Sequence, residues 1–329
     1  MVLETEVTRL FSALDQSVQY LAEAESQSYL ESLIQVGPYI TDQEIPETFE
    51  KTLLASLDPF WSGTFTKESI RRAFQLSVLK GLKSTDQAHH HVTPDTVSLF
   101  MGYLAQLLNF KQESVITVLD LAVGSANLIT AVLNQLKTPA HGIGVDVDDL
   151  MIRLAMTNAN LQQTTLELFR QDAFRPLLID PADLVVSDLP VGYYPDKQQA
   201  QSFKVAQESE QPFSHHLMIE QHLTYLKPGG YAIMMVPNTL FQEDERHRLN
   251  QLIQEEAVIL GFLQLPSSLF KTDSQGRSLL ILQKQGEGVQ KPKQALLAQL
   301  PSFSNKEAFS SMLLEIQNWF KDYQSSKSN

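Results

Sequence analysis

The sequence lacks cysteine altogether, although it is 329 residues long. Disulfide bonds and metal sites with thiolate ligands are therefore impossible, and we expect no metal centre. Long apolar runs are also missing, because no stretch approaches the roughly 20 residues that span a bilayer. Residues 1–6 are acidic and show none of the features of a secretory signal. These absences predict a cytoplasmic protein that does not associate with a membrane.

Positive charge is scarce. Lys and Arg number 25 against 38 Asp and Glu, which gives a formal net charge of −13 at pH 7. Proteins that bind nucleic acids usually carry a basic face, because phosphate neutralisation supplies most of their non-specific affinity. The lysines at 80–83 and 284–293 are too sparse to be more than solvated surface. The charge therefore argues modestly against duplex DNA being bound by this chain alone.

The hydrophobic pattern divides the chain into three parts. Residues 1–85 predict a helical domain that covers a cleft or binds a protein partner, with a turn between helices at 58–63. Residues 86–290 alternate strand and helix signals. Residues 291–329 contain one amphipathic helix and a polar tail. The three histidines at 89–91 predict a polar loop, since adjacent side chains cannot easily place all their rings on one metal.

Seven segments of the middle part have the pattern of strands: 115–121, 142–147, 166–169, 184–186, 231–236, 257–265 and 279–282. Helical segments lie between several of them. This alternation predicts an α/β protein with a parallel sheet that is covered by helices on both faces.

A short loop of small residues follows the first of these strands. Gly124, Ser125 and Ala126 keep side chains away from the place where a ligand would meet the backbone. Asp146 ends the next strand, where a carboxylate can accept both hydroxyls of a ribose. Asp172 follows the third strand, in a position to contact an adenine amine. The sequence therefore predicts a nucleoside pocket, and the alternative is a plain tight turn with surface aspartates.

The acid at the end of the first strand indicates which nucleoside the pocket would bind. A dinucleotide-binding loop has further glycines, because a pyrophosphate sits on the helix N-terminus, whereas the last small position here is Ala126. Asp120 would repel a phosphate but would pair with an ammonium group. S-adenosylmethionine carries an ammonium and no phosphate, and it therefore fits better than NAD or ATP.

These segments resemble class I S-adenosylmethionine-dependent methyltransferases, specifically the adenine amino-methyltransferase branch that includes modification subunits of restriction systems. The loop of that branch typically reads Asp-Pro-Ala-Cys-Gly-Ser-Gly-Asn-Phe, and residues 120–128 read Asp-Leu-Ala-Val-Gly-Ser-Ala-Asn-Leu. The resemblance covers residues 85–285 and implies a Rossmann-like seven-stranded methyltransferase sheet with an N-terminal helical domain. Residues 188–195, Asp-Leu-Pro-Val-Gly-Tyr-Tyr-Pro, are similar to a bacterial subgroup of this branch among low-GC Gram-positives.

The resemblance also implies which residues bind the cofactor. Asp120 and Gly124 are expected around its amino-acid end, Asp146 at the ribose and Asp172 at the adenine. The positions carried over from the motifs of the branch are Thr93, Asp120, Ala122, Gly124, Ala126, Asn127, Leu128, Asp146, Val147, Asp172 and Ala173.

The catalytic turn of the branch reads Asn or Asp, Pro, Pro, then Tyr or Phe. The first residue accepts hydrogen bonds from a ring amine and so localises its lone pair, and the aromatic ring stacks on an extruded base. This chain keeps Asp188 as the acceptor and Pro190 as the stiffener, with leucine for the first proline and valine for the aromatic residue. We expect Tyr193 to replace the missing ring, with Tyr194 as the alternative.

The predicted function is methyl transfer from S-adenosylmethionine to an exocyclic amine of adenine in nucleic acid. RNA, a protein amide or a small amine are alternative acceptors. A further alternative is a catalytically silent, cofactor-binding subunit that binds a partner through its N-terminal helices, because the altered turn also fits a site whose role has decayed.

Overall fold

The protein is described by a computed structural model that covers residues 2–84, 92–110, 115–207, 209–242 and 247–326. The predicted loop with histidines 89–91 lies outside these residues. The helices in these ranges are α1 (Val2–Glu25), α2 (Tyr29–Thr41), α3 (Glu47–Ser62), α4 (Lys67–Ser84), α5 (Asp95–Leu107), α6 (Asn127–Leu133), α7 (Asp149–Leu161), α8 (Lys197–Ala200), α9 (Ser214–Thr224), α10 (Arg248–Glu256) and α11 (Lys306–Ser326). The strands are β1 (Ile116–Asp120), β2 (Ala140–Asp146), β3 (Leu166–Arg170), β4 (Ala182–Asp188), β5 (Leu226–Pro237), β6 (Ala257–Gln264), β7 (Arg277–Lys284) and β8 (Leu296–Gln299).

The N-terminal helices α1–α4 confirm the predicted helical region. They belong to one compact unit together with α6, β2, α7 and β3. Buried side chains at helical spacing, such as Leu10 and Leu14 of α1 and Leu33 of α2, share a hydrophobic cluster with Leu154 of α7. Full burial of such a side chain contributes about 1.5–3 kcal/mol. The helical region is therefore packed on part of the α/β segment within this unit.

The turn predicted at 58–63 is wrong except at its last residue. Helix α3 continues through Pro59 and ends only before Gly63. A proline inside a helix costs about 3 kcal/mol, because it removes a backbone donor and crowds the preceding turn. The packing of α3 outweighs that cost: the helix buries two leucines, and Nε1 of Trp61 donates to the carbonyl of Ile40 at 3.0 Å.

The strands form one sheet in the order β3-β2-β1-β4-β5-β7-β6-β8. The pairs β2–β3, β1–β4 and β4–β5 are parallel, which agrees with the predicted α/β architecture. Strand β7 is antiparallel to both β5 and β6, so the expectation of a wholly parallel sheet is wrong. The physical reason is the connection from β6 to β7, which has only short 3-10 turns and no crossover helix.

Within the described ranges the sheet has eight strands rather than the predicted seven. Strand β8 lies in the segment that was predicted to contain only a helix and a polar tail, and it pairs in parallel with β6. The residues of β8, Leu-Leu-Ala-Gln, do not alternate between apolar and polar, so pairing with β6 decides their conformation. The predicted C-terminal helix is present as α11.

The second compact unit contains β1, β4–β8, most of α5 and the helices α8–α11. Its core consists of the apolar side chains of the central strands, among them Val185, Ile233 and Leu280, which are wholly buried. Helix α11 is joined to strand β7 by the hydroxyl of Tyr323, which donates to Oε1 of Gln283 at 3.0 Å. Membrane-spanning helices are absent from the described ranges, where each helix is too short or too polar for that role.

Candidate functional site

Four aspartates predicted at strand ends are found there. Asp120, Asp146 and Asp188 are the last residues of β1, β2 and β4, and Asp172 lies two residues beyond the end of β3. Ligands of open α/β sheets bind beyond the carboxyl ends of parallel strands. The local environment of each acid therefore decides what it can do.

Asp146 organises the backbone of the first unit. Its Oδ2 accepts from the backbone N–H of Gly124 at 2.9 Å, and its Oδ1 accepts from that of Asp148 at 2.9 Å. Each carboxylate oxygen has a second lone pair, so both ribose hydroxyls can still donate to this group. Val147 follows directly and is 67% exposed. An apolar side chain next to Asp146 is therefore accessible to solvent.

The backbone of the β1–α6 loop, residues 121–126, has positive φ at two positions of the first unit, and only the one that is not a glycine is strained. Gly124 has φ of 52°, and Ala126 has φ of 61° in the left-handed region. A side chain added at Gly124 would meet nothing within 4 Å, so the loop backbone is open at this point. The side-chain amide of Asn158 donates to the carbonyl of Ser125 at 3.0 Å and so fixes the residue after Gly124. These features suit a ligand that approaches the backbone closely.

Asn127 and Thr93 occur in an environment that sequence reasoning did not anticipate. Both residues are buried, and Nδ2 of Asn127 donates to the carbonyl of Thr93 at 3.4 Å. Oδ1 of Asn127 accepts from Nη1 of Arg71 at 2.5 Å. Leu128 is also buried. The side chain of Asn127 therefore links Arg71 of α4 to the backbone of Thr93. Its role at the cofactor remains a prediction.

Asp120 is buried in the second unit, where its position is fixed by two donors. Its Oδ1 accepts from the backbone N–H of Ala122 at 3.0 Å and from the hydroxyl of Ser187 at 2.7 Å. Sequence reasoning missed Ser187, although a polar residue within the buried strand β4 was a usable signal.

His222 supports the start of the β1–α6 loop in the second unit. Its Nδ1 is 2.8 Å from the carbonyl of Met218, and its Nε2 is 3.4 Å from the backbone N–H of Leu121. Complete burial lowers the pKa of His222 to about 4, although the Met218 carbonyl acts in the opposite direction. A neutral ring that donates from Nδ1 and accepts at Nε2 satisfies both contacts. Sequence reasoning missed this residue.

The β4 turn, residues 189–194, follows Asp188 in the second unit. The backbone N–H of Leu189 donates to the carbonyl of Met235 at 3.2 Å and so extends the pairing with β5. Gly192 has φ of 129°, and its carbonyl accepts from the N–H of Ser214 at 2.8 Å. Pro190 is exposed. The turn therefore joins the strand end to the start of α9.

The two tyrosines of the β4 turn have different environments. Tyr193 is 59% exposed and stacks on Phe213, with ring centroids 4.7 Å apart and planes at 23°. The hydroxyl of Tyr194 instead donates to Oδ2 of Asp172 at 3.4 Å. Val191, at the position of the aromatic residue in the branch, is 47% exposed. An accessible ring is thus present at Tyr193, and sequence reasoning missed its partner Phe213 because the contact is not local.

Asp172 contacts residues that follow it directly in the sequence. Its Oδ1 accepts from the backbone N–H of Phe174 at 3.0 Å, and Nε of Arg175 lies 3.4 Å from Oδ2. Partial burial, together with the charge of Asp172, raises the pKa of Tyr194 to about 12. Ala173 is buried, and its carbonyl accepts from Gln221. Asp172 keeps acceptor capacity for an amine, since a carboxylate has about four lone-pair sites.

An α/β sheet with aspartates at the ends of its parallel strands agrees with the architecture of class I methyltransferases. The chain belongs to the N-6 DNA methylase family, which matches residues 81–322. Residues 8–82 match the YtxK N-terminal helical domain.

Individual proteins support this assignment. The chain is 41% identical over 302 residues to the uncharacterized protein YtxK of Bacillus subtilis (strain 168), covering 89% of this chain and 91% of that protein. A candidate class I S-adenosylmethionine-dependent methyltransferase from Listeria monocytogenes is 38% identical, with a TM-score of 0.85 over 96% of this chain and 99% of the other. The type I restriction-modification methyltransferase subunit from Streptococcus thermophilus has the same fold, with 16% identity and a TM-score of 0.60 over 94% of this chain and 74% of that chain.

The predicted family and the predicted Rossmann-like methyltransferase fold are thereby confirmed. The predicted cofactor agrees with the description of the Listeria protein. The roles of individual residues stay predictions.

Proposed function

We propose that this protein is an S-adenosylmethionine-dependent methyltransferase that modifies an exocyclic amine of adenine in nucleic acid. The observation that carries the proposal is the loop after β1, where an open backbone at Gly124 is bonded to the strand-end carboxylate of Asp146. Membership of the N-6 DNA methylase family supports the choice of acceptor. A carboxylate that accepts sugar hydroxyls beside an open loop suits a nucleoside without a phosphate.

The chemistry of each assigned side chain suits a part of this cofactor. Asp146 would accept the ribose hydroxyls, and the exposed side chain of Val147 would pack against the adenine ring. Asp120 would pair with the ammonium of the amino-acid end, and Asp172 would accept from the adenine amine. When bound, the cofactor supplies an activated methyl group on a sulfonium. The remaining proposed positions, Thr93, Ala122, Ala126, Asn127, Leu128 and Ala173, would shape the backbone around it.

The chemistry that the chain itself supplies is centred on the β4 turn. Asp188 would accept a hydrogen bond from the acceptor amine and so direct its lone pair, while Pro190 restrains the backbone before it. The exposed ring of Tyr193, supported by Phe213, would stack on the extruded base. Catalysis of this kind depends mainly on positioning, which is worth several kcal/mol when reacting atoms are aligned.

A second candidate function is a cofactor-binding subunit that does not catalyse transfer. The observation that favours it is the composition of the β4 turn, where Leu189 and Val191 replace the proline and the aromatic residue of the branch. Such a subunit would bind a protein partner through its N-terminal helices. A cytoplasmic location is part of both proposals, and cell fractionation tests it.

The deciding experiment has two stages and uses the purified full-length chain. Calorimetric titration with S-adenosylmethionine and S-adenosylhomocysteine tests the cofactor site, and micromolar binding supports it. Labelled-methyl transfer is then measured with DNA, RNA, protein and small amines. Label in adenine supports the first proposal, whereas label in a protein amide or a small amine overturns its acceptor. Binding without transfer to any acceptor supports the silent subunit, and no binding by a folded sample rejects both proposals.

A further inference from the structure

Arg71 is the charged side chain with the most complete burial in the helical region. It lies on α4, within the segment that matches the YtxK N-terminal helical domain, and it is 0% exposed. Its guanidinium donates to both carboxylate oxygens of Glu68, at 2.7 and 2.6 Å, and to Asp95. Burial opposes the charge, but the hydrogen bonds and charges of Glu68 and Asp95 outweigh burial and raise the pKa of Arg71. The side chain is therefore a fixed cation.

The third nitrogen of this group bonds to the residue that directly follows the β1–α6 loop. Nη1 donates to Oδ1 of Asn127 at 2.5 Å, and Asn127 is the first residue of α6, directly after the loop. The amide of Asn127 donates in turn to the carbonyl of Thr93, which also accepts from Nε2 of Gln75 at 3.5 Å. Helix α4 thus contacts two segments, at Thr93 and Asn127, that the sequence predicts at the cofactor.

The loop needs such support because its backbone is strained. Ala126 adopts the left-handed conformation without being a glycine, which costs about 1–2 kcal/mol. A strained residue keeps its conformation only where its surroundings determine it. A buried ion pair is often no more stable than apolar side chains of the same volume. A gain in stability therefore does not by itself explain why a guanidinium is buried at this position. Its bond to Asn127 does, because that bond fixes the residue next to the strained Ala126.

We propose that Arg71 is a positioning residue that sets the conformation of the β1–α6 loop, so that the N-terminal helical domain determines the affinity for S-adenosylmethionine. This inference rests on the proposed function for its ligand. The substitution Arg71→Lys keeps a cation near Glu68 and Asp95 but removes the planar fork that also reaches Asn127. We expect it to weaken the affinity for S-adenosylhomocysteine about tenfold, the effect of losing one charge-assisted hydrogen bond.

The matched control is Arg153→Lys. Arg153 also connects the helical region to the α/β segment, through two bonds to Glu31 at 2.9 and 2.6 Å, but these bonds do not involve the β1–α6 loop. Because the pair is partly exposed, we expect the affinity to change by less than about twofold. Calorimetry gives the affinity, and thermal unfolding without ligand gives the stability of each variant. An Arg71→Lys variant with reduced melting temperature but unchanged affinity would show a merely structural role and overturn the proposal.

Hydrogen exchange separates failure of this inference from failure of the proposed function. In ligand-free protein, Arg71→Lys should accelerate amide exchange in residues 123–128, and Arg153→Lys should not. Unchanged exchange in this segment overturns the inference, even if the wild-type chain binds no cofactor. The second variant, Asn127→Ala, removes the link from its other end. If the link acts as one unit, Arg71→Lys combined with Asn127→Ala weakens affinity no more than the worse single variant, whereas additive losses contradict it.

Discussion

Two loops of this protein follow strands that end in aspartate, and they are stabilised in different ways. The β1–α6 loop is fixed by side chains that are buried or partly buried. The N–H of Gly124 donates to Asp146, and the carbonyl of Ser125 accepts from Asn158. His222 accepts from the N–H at the start of the same loop. A change in any of these partners leaves a polar group unsatisfied, which costs about 1–3 kcal/mol.

The β4 turn is fixed mainly through its own backbone. The carbonyl of Gly192 and the N–H of Tyr194 bond to residues 212–214, while the side chains of Val191 and Tyr193 are largely exposed. The side chains of Val191 and Tyr193 can therefore change without disturbing a buried polar network. This difference agrees with the sequence, in which residues 120–128 keep more of the motif of the resembled branch than the β4 turn does, and with the prediction that Tyr193 replaces the missing ring.

The largest expected effect concerns the acid before the β4 turn. Replacing the carboxylate in Asp188→Ala removes the acceptor for the substrate amine, and we expect transfer to fall by at least about 100-fold. Affinity for S-adenosylmethionine should remain largely intact, since this acid is assigned to the acceptor. Asp188→Asn keeps an acceptor oxygen and should retain much more activity. Parallel loss of transfer and cofactor affinity in Asp188→Ala would contradict this division of roles.

The next prediction concerns His222, the buried side chain that supports the start of the β1–α6 loop. The pKa of His222 is lowered from 6.5 to about 4 in the folded protein, so the unfolded chain binds the proton more readily. Its contribution to stability is complete above pH 6.5 and is lost as the pH falls towards 4. The loss amounts to about 3 kcal/mol. Thermal unfolding from pH 7.5 to 4.5 should therefore show a flatter pH dependence in His222→Gln than in wild type, and equal slopes would refute the assignment.

A smaller effect is expected at Asp146. The variant Asp146→Ala removes the carboxylate that would accept the ribose hydroxyls, at a cost of about 2 kcal/mol, or about 30-fold in affinity for S-adenosylhomocysteine. Asp149→Ala provides the control, because this neighbouring acid pairs with Arg170 at 3.0 Å and has no assigned role in the site. Calorimetry measures the affinity of both variants for S-adenosylhomocysteine. If the two bind alike, the ribose assignment is wrong.

The smallest expected effect concerns Tyr193, the exposed ring of the β4 turn. Tyr193→Ala removes a stacking platform worth about 1–3 kcal/mol, and we expect kcat/KM to fall about tenfold. Tyr193→Phe keeps the ring and should behave almost like wild type. Adding Val191→Phe to Tyr193→Ala restores a ring at the family's position and should recover part of the activity. Wild-type kcat/KM in Tyr193→Ala would show that this ring does not contact the acceptor.

Much of the fold could be predicted because the signals are local. Apolar runs that end in an acid indicated β1, β2 and β4, and helical spacing indicated the N-terminal helices. The small residues around Gly124 indicated a loop with an open backbone. Each of these properties depends on neighbours a few residues away, so the sequence by itself determined where strands end and which acids follow them.

The remaining features depend on contacts between distant parts of the chain. Pairing with β6 decided the existence of β8. Packing of α3 overrode the local preference of Pro59 for a turn. The bond from Arg71 to Asn127 joins residues 56 positions apart, and stacking of Tyr193 on Phe213 depends on the path of the chain between them. Only the tertiary structure decided these features, because long-range burial and pairing contribute more free energy than local preference does.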